Sequence, residues 1–196
     1  MFKKTILTLG LLASQLSATE HRFIVDIMPG SFLVSNDING LTNTNRGISE
    51  TVEGSTSLNP NISLGYGLDL SGPLSIDLSV GTGVLINGAF DTTYTQAELT
   101  GYWTTKSKRF MIRPFFRVMN FDDSSWTTDN LLMEGTSGHA YGLAMMIGGE
   151  HFKFKMKLSQ LAGTDIKLQG QNGYRPSSSS VSLDGTMLEL GMGLRF

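Results

Sequence analysis

No cysteine occurs among the 196 residues of this chain, so disulfide bonds cannot stabilise it. The chain also has no large excess of one charge, since it contains 15 Lys and Arg and 17 Asp and Glu. A nearly neutral chain without a strongly basic patch argues against a nucleic-acid partner. After the first residues, no segment has the roughly 18 consecutive apolar residues of a transmembrane helix. Stability must come from elsewhere, and a closed β-barrel is one source that hydropathy scans miss.

The first residues are typical of a secretory signal peptide. Two lysines precede a short apolar segment from Ile6 to Leu12, and small residues ending at Ala18 form an acceptable cleavage site. The apolar segment is too short to span a bilayer as a helix. The sequence therefore predicts a signal peptide over residues 1–18 and one domain over residues 19–196.

Apolar and polar residues alternate most clearly at the end of the chain. From Leu188 to Phe196 every second residue is apolar, and the residues between them are Glu, Gly, Gly and Arg. This period predicts a strand with one apolar and one polar face. Two breaks, at Pro29-Gly30 and Pro114, predict local bulges, since proline has no N–H to donate. Eight such segments are predicted as strands: 22–33, 61–70, 74–84, 94–104, 110–119, 141–148, 152–159 and 188–196.

The connections between these strands alternate in length. Short turns lie near residues 72, 107 and 149, whereas longer polar loops lie near residues 47, 90, 130 and 172. An even number of strands with short turns at one end and long loops at the other is typical of outer-membrane barrels. Aromatic residues lie near the predicted strand ends, as in an interfacial belt: Phe23, Trp103, Phe110, Phe152 and Phe196 at one end, and Tyr94, Phe116 and Tyr141 further along.

The terminal strand and the alternating connections resemble those of small eight-stranded outer-membrane proteins, such as OmpX and the transmembrane domain of OmpA. The resemblance covers the whole mature chain and is one of architecture. It implies an all-β, eight-stranded, antiparallel up-and-down transmembrane barrel with a polar, side-chain-filled lumen, in the outer membrane of a Gram-negative bacterium. It also implies a monomer whose partners are membrane lipid, lipopolysaccharide, periplasmic chaperones and the barrel-assembly machinery, with the terminal aromatic Phe196 as part of the assembly signal.

The polar faces of the predicted strands combine many glycines with charged residues. A narrow eight-stranded lumen is filled by side chains, so long ones need small neighbours. Asp69 and Asp77 should lie opposite each other across the turn near residue 72, bridged by Arg195, Arg113 or Lys153. Five acids and six bases are predicted to form a lumen charge network: Asp26, Asp69, Asp77, Glu98 and Glu189 with Arg113, Arg117, Lys153, Lys155, Lys157 and Arg195.

The sequence contains no clear catalytic motif. His139 with Ser137 and the loop acids Asp122 or Asp123 is the best candidate, and it would suggest a lipid A-modifying enzyme. No metal-ligand spacing and no cofactor motif occur. The leading hypothesis is a non-catalytic barrel that presents four polar surface loops, with those over 36–59 and 121–138 as contact candidates. A narrow, low-conductance channel is the main alternative, and a soluble lipocalin-like binder would need an apolar lumen instead.

Overall fold

The computed structural model describes residues 18–35, 37, 39–51, 56–70, 74–87, 90–103, 110–125 and 130–196. Except for Ala18, the predicted signal peptide lies outside the described residues, as do the short turns predicted near residues 72 and 107. Within these ranges there is no helix long and apolar enough to cross a membrane.

Eight long strands form a closed antiparallel barrel. Each strand pairs with the next along the chain, and the last pairs with the first, with Ile24 opposite Arg195. The strands are β1 (Ala18–Val34), β2 (Asn61–Leu70), β3 (Leu74–Asn87), β4 (Phe90–Trp103), β5 (Phe110–Phe121), β6 (Ser137–Gly148), β7 (Phe152–Ala162) and β8 (Gly185–Arg195). The barrel end at which β1 begins and β8 ends is called the terminal end below.

The barrel is polar inside and apolar outside. In β7 the lysines at 153, 155 and 157 are at most 7% exposed, whereas Phe154 between them is 63% exposed. The same alternation continues around the barrel, with exposed Leu64, Val80, Leu99 and Ile112 on other strands. A soluble barrel has the reverse arrangement, because its apolar side chains fill the interior. The inward direction predicted for the polar faces is therefore confirmed.

The two predicted bulges have different outcomes. The pairing of β1 with β8 shifts register between Ile27 and Gly30, as the Pro29-Gly30 break predicts. The bulge predicted at Pro114 is wrong, since β5 pairs with β6 in unbroken register and Pro114 lies opposite Leu143. On the other side, pairing with β4 stops at Phe115. Pro114 thus lies where one ladder ends, a position that tolerates a residue without an N–H.

The prediction of a longer loop near residue 90 is also wrong. Asn87 pairs directly with Phe90, so only residues 88–89 join β3 to β4, and the two strands extend beyond the barrel as a hairpin. Inward-facing Leu85 and Phe90 are both 1% exposed. Burial of these side chains explains why a segment predicted as polar loop forms strand instead.

The other three long connections fold into a cap, defined here as the described residues of segments 37–58, 122–136 and 163–184. Two small sheets form in it, one of four strands and one of three. Leu131, Met133, Ile166 and Leu168 point into an apolar core that continues into the barrel. The expectation of purely polar loops is therefore wrong for all three, since Leu41 of the first segment belongs to the same core. The cap strands include Thr42–Asn45, Ile48–Thr51, Leu131–Met133, Asp165–Gly170, Arg175–Pro176 and Ser180–Ser182.

Candidate functional site

The middle of the lumen contains a compact group of ion pairs around Glu98. Arg117 donates to Glu98 Oε2 through Nε (2.9 Å) and Nη2 (2.6 Å), and the Lys157 Nζ lies 2.7 Å from Oε1. Arg117 also donates from Nη1 to Glu189 Oε1 at 3.1 Å. Lys155 pairs with Asp26 on the neighbouring wall. These residues are called the central cluster: Asp26, Glu98, Arg117, Lys155, Lys157 and Glu189.

A second group surrounds Asp77 near the terminal end. Asp77 accepts from Arg113 Nη1 at 2.7 Å, from Arg22 Nη2 at 2.8 Å and from Arg195 Nη2 at 3.3 Å. Arg22 also pairs with Asp69. Lys153 donates to the carbonyl oxygen of Gly149 at 2.8 Å. These residues are called the mouth cluster: Arg22, Asp69, Asp77, Arg113, Lys153 and Arg195.

The predicted register of Asp69 and Asp77 is wrong. Asp77 lies opposite Gly67, and Asp69 lies opposite Ser75, whose hydroxyl donates to it at 2.5 Å. A Cβ on Gly67 would come within 2.5 Å of Asp77 Oδ1 and 2.6 Å of the Arg22 Nε. The glycine therefore leaves the space in which Arg22 reaches both carboxylates.

Arg22 is the member of these clusters that sequence reasoning missed. It lies at the start of β1, with the same strand parity as the inward-facing Ile24 and Asp26. That parity was available in the sequence, but one charged residue at a strand end gives little reason to choose the lumen over solvent.

Above the central cluster the lumen is closed by apolar side chains. Leu33, Tyr94 and Met119 are each at most 1% exposed. The Tyr94 hydroxyl donates to Asn59 Oδ1 at 2.5 Å, so its single polar group is satisfied. The expectation that Tyr94 belongs to an outer aromatic belt is wrong, because its ring fills the lumen. The side chain of Trp103 lies outside the described residues.

Two cavities differ greatly in size along the lumen. The one beside the central cluster, lined by Glu98 and Lys157 among others, holds only about 10 Å³. A single water molecule needs about 10–15 Å³, so this space does not admit a hydrated ion. At the terminal end, the mouth cluster lines an open cavity of about 310 Å³.

The candidate catalytic residues do not form a catalytic arrangement. Ser137 and His139 lie on the outer face of β6, where the Ser137 hydroxyl donates to Asn120 Oδ1 at 2.8 Å. The His139 ring stacks on Phe116, with 6.0 Å between ring centroids. Asp122 accepts from the Thr93 hydroxyl, and Asp123 from the backbone N–H of Gly135. No hydrogen bond among the described residues links the serine, the histidine and an acid, as a nucleophile–base–acid triad requires.

The outermost part of the cap has a groove of about 570 Å³ between the hairpin Thr42–Thr51 and the segment around Gly173. Arg46 and Arg175 line it and are exposed. The side-chain amide of Asn45 donates to the carbonyl oxygen of Asn172 at 3.1 Å, and this bond fixes the two segments together. Within the described part of the chain, neither arginine has an ion-pair partner, and both side chains are exposed at the groove.

Comparison with known proteins shows which solved structures have a similar architecture. No family model and no curated protein sequence matches the chain. The outer membrane protein OprG from Pseudomonas aeruginosa is similar in structure, with a TM-score of 0.54 and 15% identity over 89% of this chain and 95% of that one. The fold is that of a small outer-membrane β-barrel.

Two further solved structures are similar over most of their length. Neisserial surface protein A has a TM-score of 0.48 and 12% identity, over 91% of this chain and 97% of that one. Ail of Yersinia pestis, solved with the heparin analogue sucrose octasulfate, has a TM-score of 0.45 and 10% identity, over 91% of this chain and all of that one.

Proposed function

We propose that this protein is a non-catalytic, integral outer-membrane protein of a Gram-negative bacterium that holds a folded cap at the cell surface. The observation that carries the proposal is the polarity of the closed barrel: buried ion pairs inside, exposed Leu, Ile, Val and Phe outside. An apolar outer face is stable in lipid and unfavourable in water, and barrel closure satisfies the backbone in the bilayer. The terminal end then faces the periplasm and the cap faces the medium.

The cap supports a role in surface contact. Its apolar core and its two small sheets fix the outer segments, so a partner meets a preformed surface and little conformational entropy is lost on binding. The groove between Arg46 and Arg175 is the contact site that we favour, because it presents to an acidic or polar ligand two guanidinium groups that have no ion-pair partner among the described residues. Lipopolysaccharide and host surfaces both offer such groups.

A narrow channel is less well supported as an alternative. The central cluster leaves about 10 Å³ of space, and apolar side chains fill the lumen above it. The mouth cavity is the observation that favours a channel, since it is open and charged. In planar bilayers we expect no stable conductance steps from the folded protein; regular steps would favour the channel.

Assembly is the remaining part of the proposal. The Phe196 ring is 69% exposed, while its backbone N–H donates to the Phe23 carbonyl oxygen at 3.0 Å. Phe196 directly follows β8, and in the unfolded chain its ring is available to periplasmic chaperones and the barrel-assembly machinery. We expect Phe196→Ala to lower the amount of folded protein in the outer membrane without changing the stability of barrels that have assembled.

Membrane topology can be tested directly because the chain has no cysteine. Ser178→Cys places one thiol in the cap, and Glu150→Cys places one at the terminal end, both at exposed positions. A membrane-impermeant maleimide added to intact cells should label the first and should label the second only after the outer membrane is permeabilised. A mobility shift between unboiled and boiled samples should accompany this. Labelling of both sites in intact cells, or recovery in the soluble periplasm, would refute the proposal.

A further inference from the structure

Two tight turns of the same kind form the groove in the cap. The first turn has Arg46 and Gly47 at its centre, with φ of 48° and 86°. The second has Asn172 and Gly173 at its centre, with φ of 53° and 82°, and a backbone hydrogen bond of 2.9 Å closes it. A turn with two successive positive φ angles favours Asn-Gly at its centre. The second turn has this pair, whereas the first has Arg-Gly.

The two turns also bring two arginines close together. Arg175 pairs with Thr44, which lies only two residues before Arg46, and both arginine side chains line the same groove. Like charges that are neighbours on one face destabilise the structure that holds them. No salt bridge joins either arginine to an acid in the part of the chain that the structure describes.

Backbone strain and charge repulsion therefore coincide at Arg46. The arginine side chains are not what joins the two turns. The Asn45 side-chain amide donates to the Asn172 carbonyl oxygen at 3.1 Å, and the Ser177 N–H donates to the Thr42 carbonyl oxygen at 2.8 Å. Unfavourable local features that the fold does not need are typical of binding sites, where a ligand compensates for them.

The remaining lining of the groove indicates the class of ligand. Besides the two arginines, the described lining residues are Thr44, Asn45, Asn172 and Gly173, which provide hydroxyl and amide groups and no apolar side chain. A protein partner is held mainly by aromatic and other large anchors in well-packed pockets, and an extended peptide adds to a free sheet edge. The strand Thr42–Asn45 offers no free edge, because it is the central strand of its three-stranded sheet. The hydroxyl groups of a saccharide, in contrast, need only polar partners.

We propose that the cap groove binds an anionic saccharide, with an oxyanion group of the saccharide between Arg46 and Arg175. The oxyanion offsets the repulsion between the two guanidinium groups and accepts paired hydrogen bonds from them. A water molecule occupies about 30 Å³ of liquid, so the groove of about 570 Å³ has room for sugar rings beside the oxyanion. This inference rests on the proposed function, because it names the ligand class of the same contact site.

The test uses the full chain folded in detergent micelles, so that binding is measured without any assumption about membrane orientation. Dextran sulfate, alginate, the delipidated saccharide of lipopolysaccharide, polyglutamate and neutral dextran are titrated by calorimetry at equal ionic strength. We expect the charged saccharides to bind, more weakly as salt is added, and polyglutamate and neutral dextran not to bind. Tightest binding of the phosphate-bearing lipopolysaccharide saccharide identifies the bacterial surface as the source of the ligand. Tightest binding of a sulfated or carboxylated polysaccharide identifies an external source.

Three variants at exposed positions link binding to the groove. Arg175→Gln should weaken saccharide binding about fivefold, since it removes one charge at close range in a solvated site. Arg46→Lys keeps the charge and loses the planar guanidinium, so it should weaken binding by a smaller factor. Lys167→Gln removes one positive charge from the other sheet of the cap and should leave the affinity unchanged.

Three results would overturn the inference. They are no binding of any charged saccharide, equal affinity for polyglutamate, which would indicate an acidic protein partner, and unchanged affinity in both arginine variants. None of them alters the maleimide labelling of intact cells that tests the surface location of the cap. Failure of this inference is therefore distinguishable from failure of the proposed function.

Discussion

Arg117 and Glu189 form a fully buried ion pair that joins β5 to β8 across the lumen. The side chains of both residues are 0% exposed, and their Nη2 and Oε2 atoms are 3.0 Å apart. The two strands are not neighbours, since β6 and β7 lie between them. Because Arg117 also pairs with Glu98 on β4, one guanidinium connects three strands.

Loss of Arg117 should therefore strongly destabilise the barrel. Arg117→Ala removes the guanidinium from the buried Glu189 carboxylate and leaves Lys157 to balance Glu98 without it. Breaking a buried pair by removing one partner costs about 3–5 kcal/mol. Urea unfolding in lipid vesicles, followed by gel mobility, measures the loss. Lys167→Ala in the exposed cap is the matched control and should change the free energy of unfolding by less than about 0.5 kcal/mol. A cost for Arg117→Ala as small as that of the control would show that the ion pairs do not support the fold.

A second prediction concerns two glycines with opposite surroundings. A Cβ on Gly142 would collide with the carbonyl oxygen of Leu158 and lie 2.6 Å from the Ser159 Cα, whereas one on Gly101 would meet nothing within 4 Å. Gly142→Ala should cost about 1–3 kcal/mol through overpacking. Gly101→Ala should be neutral or slightly stabilising. The same urea titration compares them, and equal costs would contradict the tight packing of β6 against β7.

Much of the barrel could be predicted from the sequence because a period of two fixes the direction of each side chain once one face is apolar. The three lysines of β7 alternate with Phe154 and Met156, so their inward direction is determined. Their partners could not be predicted. Strand tilt and register decide which charges meet across the lumen, and neither is encoded in a single strand. The misplaced pair of Asp69 and Asp77 is an example.

The cap was less predictable than the barrel, for a different reason. Its strands have two to six residues, so Leu131–Met133 shows only one alternation, which cannot be distinguished from a loop. Burial of these residues depends on a core assembled from three distant segments of the chain. The polar composition around these residues is typical of loops. The few apolar residues become buried only through tertiary packing, which the local sequence does not show.

A third prediction concerns the pKa of Asp184 in the cap. Burial alone would raise it, but hydrogen bonds from the Thr164 hydroxyl (2.6 Å) and backbone N–H (2.8 Å) outweigh this and hold the pKa below the ordinary 3.8. Since the folded-state pKa is depressed, the stabilisation is present above 3.8 and is lost as the pH falls through the lower, folded-state value. Carbon NMR titration of the carboxyl group measures it. Thr164→Val should raise the pKa, and an unchanged value would contradict the role of the hydroxyl.

The last prediction concerns Arg46, whose backbone has a φ of 48° beside Gly47 at 86°. With Asn45 paired to Ile48, these two residues form a two-residue hairpin loop in which both φ are positive. Such loops favour Asn-Gly, and an ordinary residue in the left-handed region costs about 1–2 kcal/mol. Arg46→Asn should therefore stabilise the hairpin, seen as slower hydrogen exchange over Thr42–Thr51. Arg175→Asn removes the same charge from the groove without relieving a positive φ, so it should not slow exchange.

Both variants should weaken attachment of cells to an acidic surface if the groove mediates contact, yet only Arg46→Asn should gain stability. This combination separates function from folding, because a variant that becomes more stable cannot lose attachment through unfolding. Ligand binding would then explain why an arginine occupies a position with positive φ, where asparagine fits better. Faster exchange in Arg46→Asn would contradict the assigned turn, and full attachment by both variants would remove the groove from the proposed function.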